Sequence, residues 1–279
     1  MSQETVTYLT NIVIAAILAC LITQYWLRQG RSEPMRYWML SAWVLAVADV
    51  LFAARPELSR WIARILPTVL VTVGHAGLFF GARKTARLDL CEKRAIGMVL
   101  LHALGLIYFC VFETHSDWRK VFNGAIWAGY ALGSCWSLRT AQPVFWKPLF
   151  APANAFLLHG IFHCLRLGLG TLFALRNWTE ASGWLQLIGD LEVSFFMVAL
   201  FVGILVANLQ LRNEELSSAV SEVRTLTGLL PICAWCKKVR DDDGYWQRVE
   251  DYFATRSRIT FTHGICADCF EKQLSARQR

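Results

Sequence analysis

Four cysteines near the C-terminus form two pairs, Cys233-Ala-Trp-Cys236 and Cys266-Ala-Asp-Cys269, with 29 residues between them. A Cys-x-x-Cys turn is tight enough to aim both thiolates at one ion, and two such turns complete a tetrahedron at about 2.3 Å per Zn–S bond. Four protein ligands leave no open position, so the chemistry expected here is structural zinc. His263 precedes Cys266 by three residues and is either an alternate ligand or a hydrogen-bonding support for one of the sulfurs. Thiol–disulfide exchange is the rival chemistry for these pairs. The other five cysteines (Cys20, Cys91, Cys110, Cys135 and Cys164) follow no pairing pattern and read as small hydrophobes.

A second set of reactive side chains falls inside long apolar stretches: Asp49, His75, His102, His159, His163, Arg166, Asp190 and Glu192. An ionisable group in hydrocarbon costs about 2.5–3.5 kcal/mol on insertion scales, so those that persist face a bundle interior. His159, His163 and Arg166 stand at i, i+4 and i+7 and share one helical face. At about 1.5 Å per residue, Asp49 and Asp190 lie roughly 8–9 Å from the outer ends of their helices, and Glu192 and Arg166 roughly 12–14 Å. On the same scale His102 and His163 lie roughly 17–18 Å in, and His75 and His159 are nearer the middle. The matched depths of Arg166 and Glu192 predict an ion pair. Asp190 points about 200° away from Glu192 around its helix and should have a different partner. Three readings of the set stand: bonding between helices, a ligand-sensing pocket open to the outside, or haem or metal ligation by His159 and His163 with His75 or His102.

These residues need a scaffold. Hydrophobic residues make up 55% of the chain and charged residues 18%, which excludes one large soluble core and favours an all-α bundle in lipid. Seven stretches approach the 20 or so apolar residues of a crossing: Val6–Leu27, Arg36–Ala54, Trp61–Gly81, Ala95–Glu113, Val121–Leu138, Phe150–Leu175 and Trp184–Leu209. The fifth is weakest, with Asn123, three glycines and two serines, and is kept because small residues suit close helix packing. The first lacks the features of a removable signal peptide and reads as retained. Odd-numbered loops carry ten Lys and Arg against six in the even loops, which puts the N-terminus outside and the C-terminus in the cytoplasm.

Beyond Leu209, the residues Leu216, Val223 and Leu230 recur every seven positions, with Asn213, Val220 and Thr227 in the companion positions. That pattern suits a short parallel coiled-coil homodimer continuing the last crossing; a single amphipathic helix on a surface is the alternative. Gly228 and Pro231 end it. The chain thus divides into residues 1–209 (membrane domain), 210–230 (connector) and 231–279 (zinc module). Within the module, Asp241 to Gly244 should turn, Tyr245 to Arg256 should be helical, Ile259–Phe261 should be a short strand, and Phe270–Ala276 should form a last helix in a treble-clef-like arrangement.

The run LLPICAWCKKVRDDDGYWQRVEDYF…FTHGICADCF resembles a segment at the C-terminal ends of many bacterial signal-transduction proteins. Its CKK, RDD, GYW and HGIC elements carry that resemblance over residues 229–274. More loosely, the seven apolar stretches resemble the membrane sensory regions that precede diguanylate cyclase and kinase domains, although no such output domain follows here. The resemblance implies a multi-pass sensor of the bacterial inner membrane that relays a signal through the dimeric helix to a cytoplasmic partner. Two alternatives remain open. One is a membrane protein binding haem or metal through its intramembrane histidines. The other is a membrane-tethered DNA-binding module, although nucleic acid is disfavoured by three aspartates beside Lys237, Lys238 and Arg240. No nucleophile–base set, phosphate loop or open metal site is present in the sequence, so catalysis is not expected.

Overall fold

The computed structural model describes residues 3–28, 31–112, 116–176, 178–227, 231–241, 243–256 and 261–277. Two compact units result, Met1–Asn213 and Glu214–Arg279.

The first unit is built from α1 (Gln3–Arg28), α2 (Glu33–Ala53), α3 (Arg60–Thr85), α4 (Glu92–Val111), α5 (Ser116–Arg139), α6 (Pro152–Arg176) and the start of α7 (Thr179–Thr227). A helix satisfies its own backbone polar groups, the condition for crossing hydrocarbon. Six of these helices (α1, α2, α3, α4, α6 and α7) are long and apolar enough to do so, which makes the chain a multi-pass membrane protein. Their outward faces carry Leu100, Leu104, Leu158, Leu165, Val198 and Val202, all exposed, which suits helices that meet lipid.

α5 falls outside that group of six, and its surroundings explain why. It packs against α3, α4 and α6, and Ser134 and Ser137 are fully buried, so the face that carries them meets protein, while Leu132 and Trp136 lie on an exposed face. Polar hydroxyls are affordable there because Ser134 donates to the Tyr130 carbonyl (2.8 Å) and Ser137 to that of Gly133 (2.8 Å).

Two apolar cores hold the helices together. The larger joins Leu18 and Ile22 of α1, Trp38 of α2, Leu78 of α3, Leu138 of α5, Phe156 of α6 and Leu200, Phe201 and Ile204 of α7. The smaller joins Ala76, Ala95, Ile126, Trp127 and Tyr130. The α2–α3 approach depends on glycine. A Cβ on Gly74 would lie 2.6 Å from Leu45, one on Gly81 2.8 Å from Trp38, and one on Gly77 would collide with Ser41.

α7 is one unbroken helix of 49 residues, so the connector expected at 210–230 is helical through Thr227. Residues 228–230, including the last heptad position and the expected helix stop at Gly228, lie outside the described residues.

The second unit contains β1 (Val239–Arg240), β2 (Trp246–Gln247), α8 (Val249–Arg256) and α9 (Ala267–Arg277). β1 and β2 pair antiparallel, Val239 opposite Gln247 and Arg240 opposite Trp246. This corrects the expected helix start: Tyr245 to Gln247 belong to the hairpin and α8 begins at Val249. The cause is Asp241, whose Oδ1 accepts the Tyr245 N–H at 2.7 Å and whose Oδ2 accepts from the Gln247 side chain. Gly244 completes the turn at φ +89°, a conformation glycine adopts without strain. Ile259 and Thr260 of the expected strand lie outside the described residues, and Phe261 is not in a strand. Among the described residues, Val239 and Asp241 alone are buried in this unit, which therefore lacks an apolar core of its own.

Candidate functional site

The first unit encloses a cavity of about 360 Å³ at the end of the bundle that carries the second, fourth and sixth connections. Every long helix except α4 contributes to its wall. Of the expected pocket residues, Asp49, His75, His163, Arg166 and Asp190 line it. Sequence reasoning missed others: Asn11, Trp127 and Gln186 are polar but not ionisable, and Arg55, Arg119 and Lys120 count as loop cations by position although they line the wall.

His159 and Glu192 meet beside this cavity. Glu192 Oε1 and Oε2 lie 2.9 and 3.0 Å from His159 Nδ1. The other ring nitrogen of His159 lies 3.1 Å from His75 Nε2, and His75 Nδ1 lies 2.8 Å from the Val71 carbonyl. A carbonyl only accepts, so His75 carries its proton on Nδ1; with His75 neutral, its Nε2 accepts from His159 Nε2–H. His159 Nδ1 therefore faces Glu192, and one proton is shared between them when His159 is doubly protonated or Glu192 is neutral. Phe196 stacks on His159 at 3.8 Å between centroids, which fixes the ring plane.

The expected Arg166–Glu192 ion pair does not form. Arg166 donates to Gln186 Oε1, and Gln186 Nε2 donates to Asp190 Oδ1 at 2.8 Å. Depth along the helices brought Arg166 and Glu192 level, but rotation of α6 gave Glu192 to His159. Asp190 does have a different partner from Glu192. Gly189 opens the space: a Cβ there would lie 2.9 Å from the Arg166 guanidinium.

His163 is fully buried, and among the described residues neither of its ring nitrogens has a hydrogen-bond partner. Its ring meets that of His159 edge-on, 4.5 Å between centroids. Donor atoms of His159, His163 and Glu192 all lie within 4.8 Å of one another. His102 belongs to a separate knot: its Nδ1 lies 2.6 Å from Thr72 Oγ1 and its Nε2 2.9 Å from Asn123 Oδ1, while Trp127 Nε1–H donates to Thr72 at 3.0 Å. Both its nitrogens are engaged, so it adds no donor to the first group. The His159 ring contacts those of His75 and His163, so neither of these two pairs has a porphyrin-wide gap between its rings.

In the second unit, Cys233 begins a tight turn. Cys236 N–H points to Cys233 Sγ at 3.5 Å, Lys237 N–H donates to the Cys233 carbonyl at 3.0 Å, and Cys233 N–H donates to the Lys238 carbonyl at 2.8 Å. Lys237 pays for the reversal with φ +59°. Cys266 and Cys269 flank the start of α9, where Phe270 N–H donates to the Cys266 carbonyl at 3.0 Å. N–H groups of Cys236 and then Trp235 hold the Cys233 thiol below its usual range, and that of Cys269 does the same for Cys266. Such turns suit thiolate ligation. Among the described residues, however, no three of these sulfurs and His263 come within 4.8 Å of one another, and His263 is exposed.

Comparison with protein-family models, with curated proteins and with solved structures gave no match.

Proposed function

We propose that the chain is a receptor of the bacterial inner membrane, with seven crossings, an outer N-terminus and a cytoplasmic zinc module. The observation that carries this reading is that α7 lines the cavity with Gln186, Gly189 and Asp190 and continues as one helix to Thr227. A change at the cavity wall therefore acts on the same continuous helix that carries the connector. α5 crosses with Ser134 and Ser137 turned to protein and Leu132 and Trp136 turned outward. The cavity lies at the even-loop end, the outer end by the loop-charge rule.

The lining names a ligand class. Arg55, Arg119, Lys120 and Arg166 outnumber Asp49 and Asp190, so the pocket suits a small anion. Beyond the bundle, Leu209, Leu216 and Val220 are 53%, 63% and 43% exposed, and a second copy covers this stripe as a parallel coiled coil. Cys233, Cys236, Cys266 and Cys269 gather around one structural zinc ion, which supplies the cohesion that a unit without a core lacks. The two-signed surface of Lys237, Lys238, Arg240 and Asp243 then engages a cytoplasmic signalling protein.

The test is to place a spin label at position 220 of the full-length protein in nanodiscs and measure the label-to-label distance. Arg166→Ala, which empties one wall of the pocket, is expected to shift the distance distribution. A monomer, or a distribution identical with and without Arg166→Ala, would overturn the reading.

A further inference from the structure

The geometry points to a binding site for a divalent transition-metal ion inside the membrane domain, held by His159 Nδ1, a ring nitrogen of His163 and the Glu192 carboxylate. We infer it from three independent features of the cluster, and it stands whether or not α7 relays a signal.

The first feature is the donor set. Two imidazoles and one carboxylate on adjacent helices are borderline donors that suit zinc, iron, nickel or copper in preference to calcium or magnesium. Three protein ligands leave positions for water or an incoming anion. One ligand atom from each of the three residues lies within 4.8 Å of the others, close to the about 3–4.4 Å between donors around a common ion at metal–ligand distances near 2.0–2.2 Å.

The second feature is His163. Both of its nitrogens are buried without a partner, a state that costs about 1–3 kcal/mol per polar group unless something binds there. The His159 ring meets it edge-on at 4.5 Å between centroids, and the Glu192 carboxylate completes the set. The ring also lines the cavity, so an ion bound to it is reachable from that side.

The third feature is the support behind His159. A ligating imidazole characteristically donates its far N–H to a fixed acceptor, which holds the tautomer and the ring orientation. Here His159 Nε2–H donates to His75 Nε2, and His75 is fixed in turn by the Val71 carbonyl. That relay puts one His159 proton on Nε2 and leaves Nδ1 as the nitrogen that faces Glu192. The ion takes the place of the proton shared by His159 and Glu192, which departs to solvent on binding. Arg166 opposes a cation nearby, and its charge is tempered by Asp190 through Gln186. His75 is a positioning residue, not a ligand.

The experiment uses the full-length protein, stripped of metal and titrated with Co²⁺ alone. Wild type should bind a Co²⁺ ion whose weak visible bands lack thiolate charge-transfer absorption, alongside any thiolate-ligated ion in the tail. His163→Leu should lose that ion and keep any thiolate-ligated one, and Glu192→Gln should do the same. His75→Phe should weaken the thiolate-free ion by about 10–100-fold without abolishing it. His163→Leu removes two unpartnered polar atoms, so its elution volume and thermal midpoint should match or exceed those of the wild type. Should wild type bind Co²⁺ only with thiolate absorption, or bind none, or should the thiolate-free ion survive in a folded His163→Leu protein, the site does not exist. A failed spin-label experiment on α7 would leave this outcome untouched.

Discussion

His159 is held on both sides of its ring, by Glu192 and by His75, and Phe196 stacks on its face at 3.8 Å. Cys233 is half-buried and Cys266 exposed, and among the described residues no three of the four sulfurs are gathered together. Both regions offer donors of the kind that bind metal, but they are organised by different agents. In the membrane domain the fold positions the donors before any ion arrives. In the tail, on the reading offered above, the ion positions the chain. A preorganised site keeps its shape when emptied, whereas an ion-built one loses it. That difference is measurable.

The largest effect should come from the tail. Chelation, or Cys266→Ser, is expected to abolish hydrogen-exchange protection across β1, β2 and α8 while α1 to α6 keep theirs. Persistence of protection in the metal-free tail would break the contrast from one side.

Within the membrane domain, two neighbouring histidines should respond with opposite signs. His159→Leu leaves Glu192 and His75 without their partner, and should destabilise the metal-free protein by about 2–4 kcal/mol. His163→Leu deletes nitrogens that have no partner and should be neutral or stabilising by about 1–2 kcal/mol. Thermal midpoints in detergent would report both. Equal losses from the two would mean that His163 has a bond the structure does not contain.

A smaller change is expected at Gly189→Ala, where the new methyl displaces the Arg166 guanidinium. The cost should be about 1 kcal/mol or less, because the far end of a flexible side chain can move. Loss of the Arg166–Gln186 bond in a structure of the variant would check it.

The smallest effect concerns pH. Backbone N–H groups favour the thiolates of Cys233 and Cys266, so their pKa values lie below the ordinary thiol value. The contribution of those bonds is complete above the ordinary pKa and is lost as pH falls through the lowered one. Alkylation of the metal-free protein at neutral pH should therefore be severalfold faster at Cys233 and Cys266 than at an ordinary exposed thiol. Uniform rates would remove this local asymmetry.

Much of the fold was legible because hydropathy and length act along one chain. The seven apolar stretches coincide with α1 to α7, and only six of those helices meet the apolar requirement for crossing. α5 read as weak for a physical reason: Asn123, Ser134 and Ser137 face other helices, an environment that composition cannot distinguish from water. The start of α8 was misplaced because Tyr245 and Trp246 fit a helical stripe equally well, while the competing hairpin depended on two side-chain bonds from Asp241. The i, i+4, i+7 spacing of His159, His163 and Arg166 correctly placed them on one face. It could not show which of them would find a partner.

Covalent spacing alone settled where apolar helices run, which residues share a face of α6, and that four cysteines stand as two Cys-x-x-Cys pairs. Those properties repeat with the helix or the turn and need no neighbour. Tertiary structure decided that Glu192 belongs to His159 and not to Arg166, that Gln186 bridges Arg166 to Asp190, and that His163 is left with two buried, unpaired nitrogens. Each depends on how far one helix is rotated against the next, a quantity set by packing of the whole bundle and carried by no single segment.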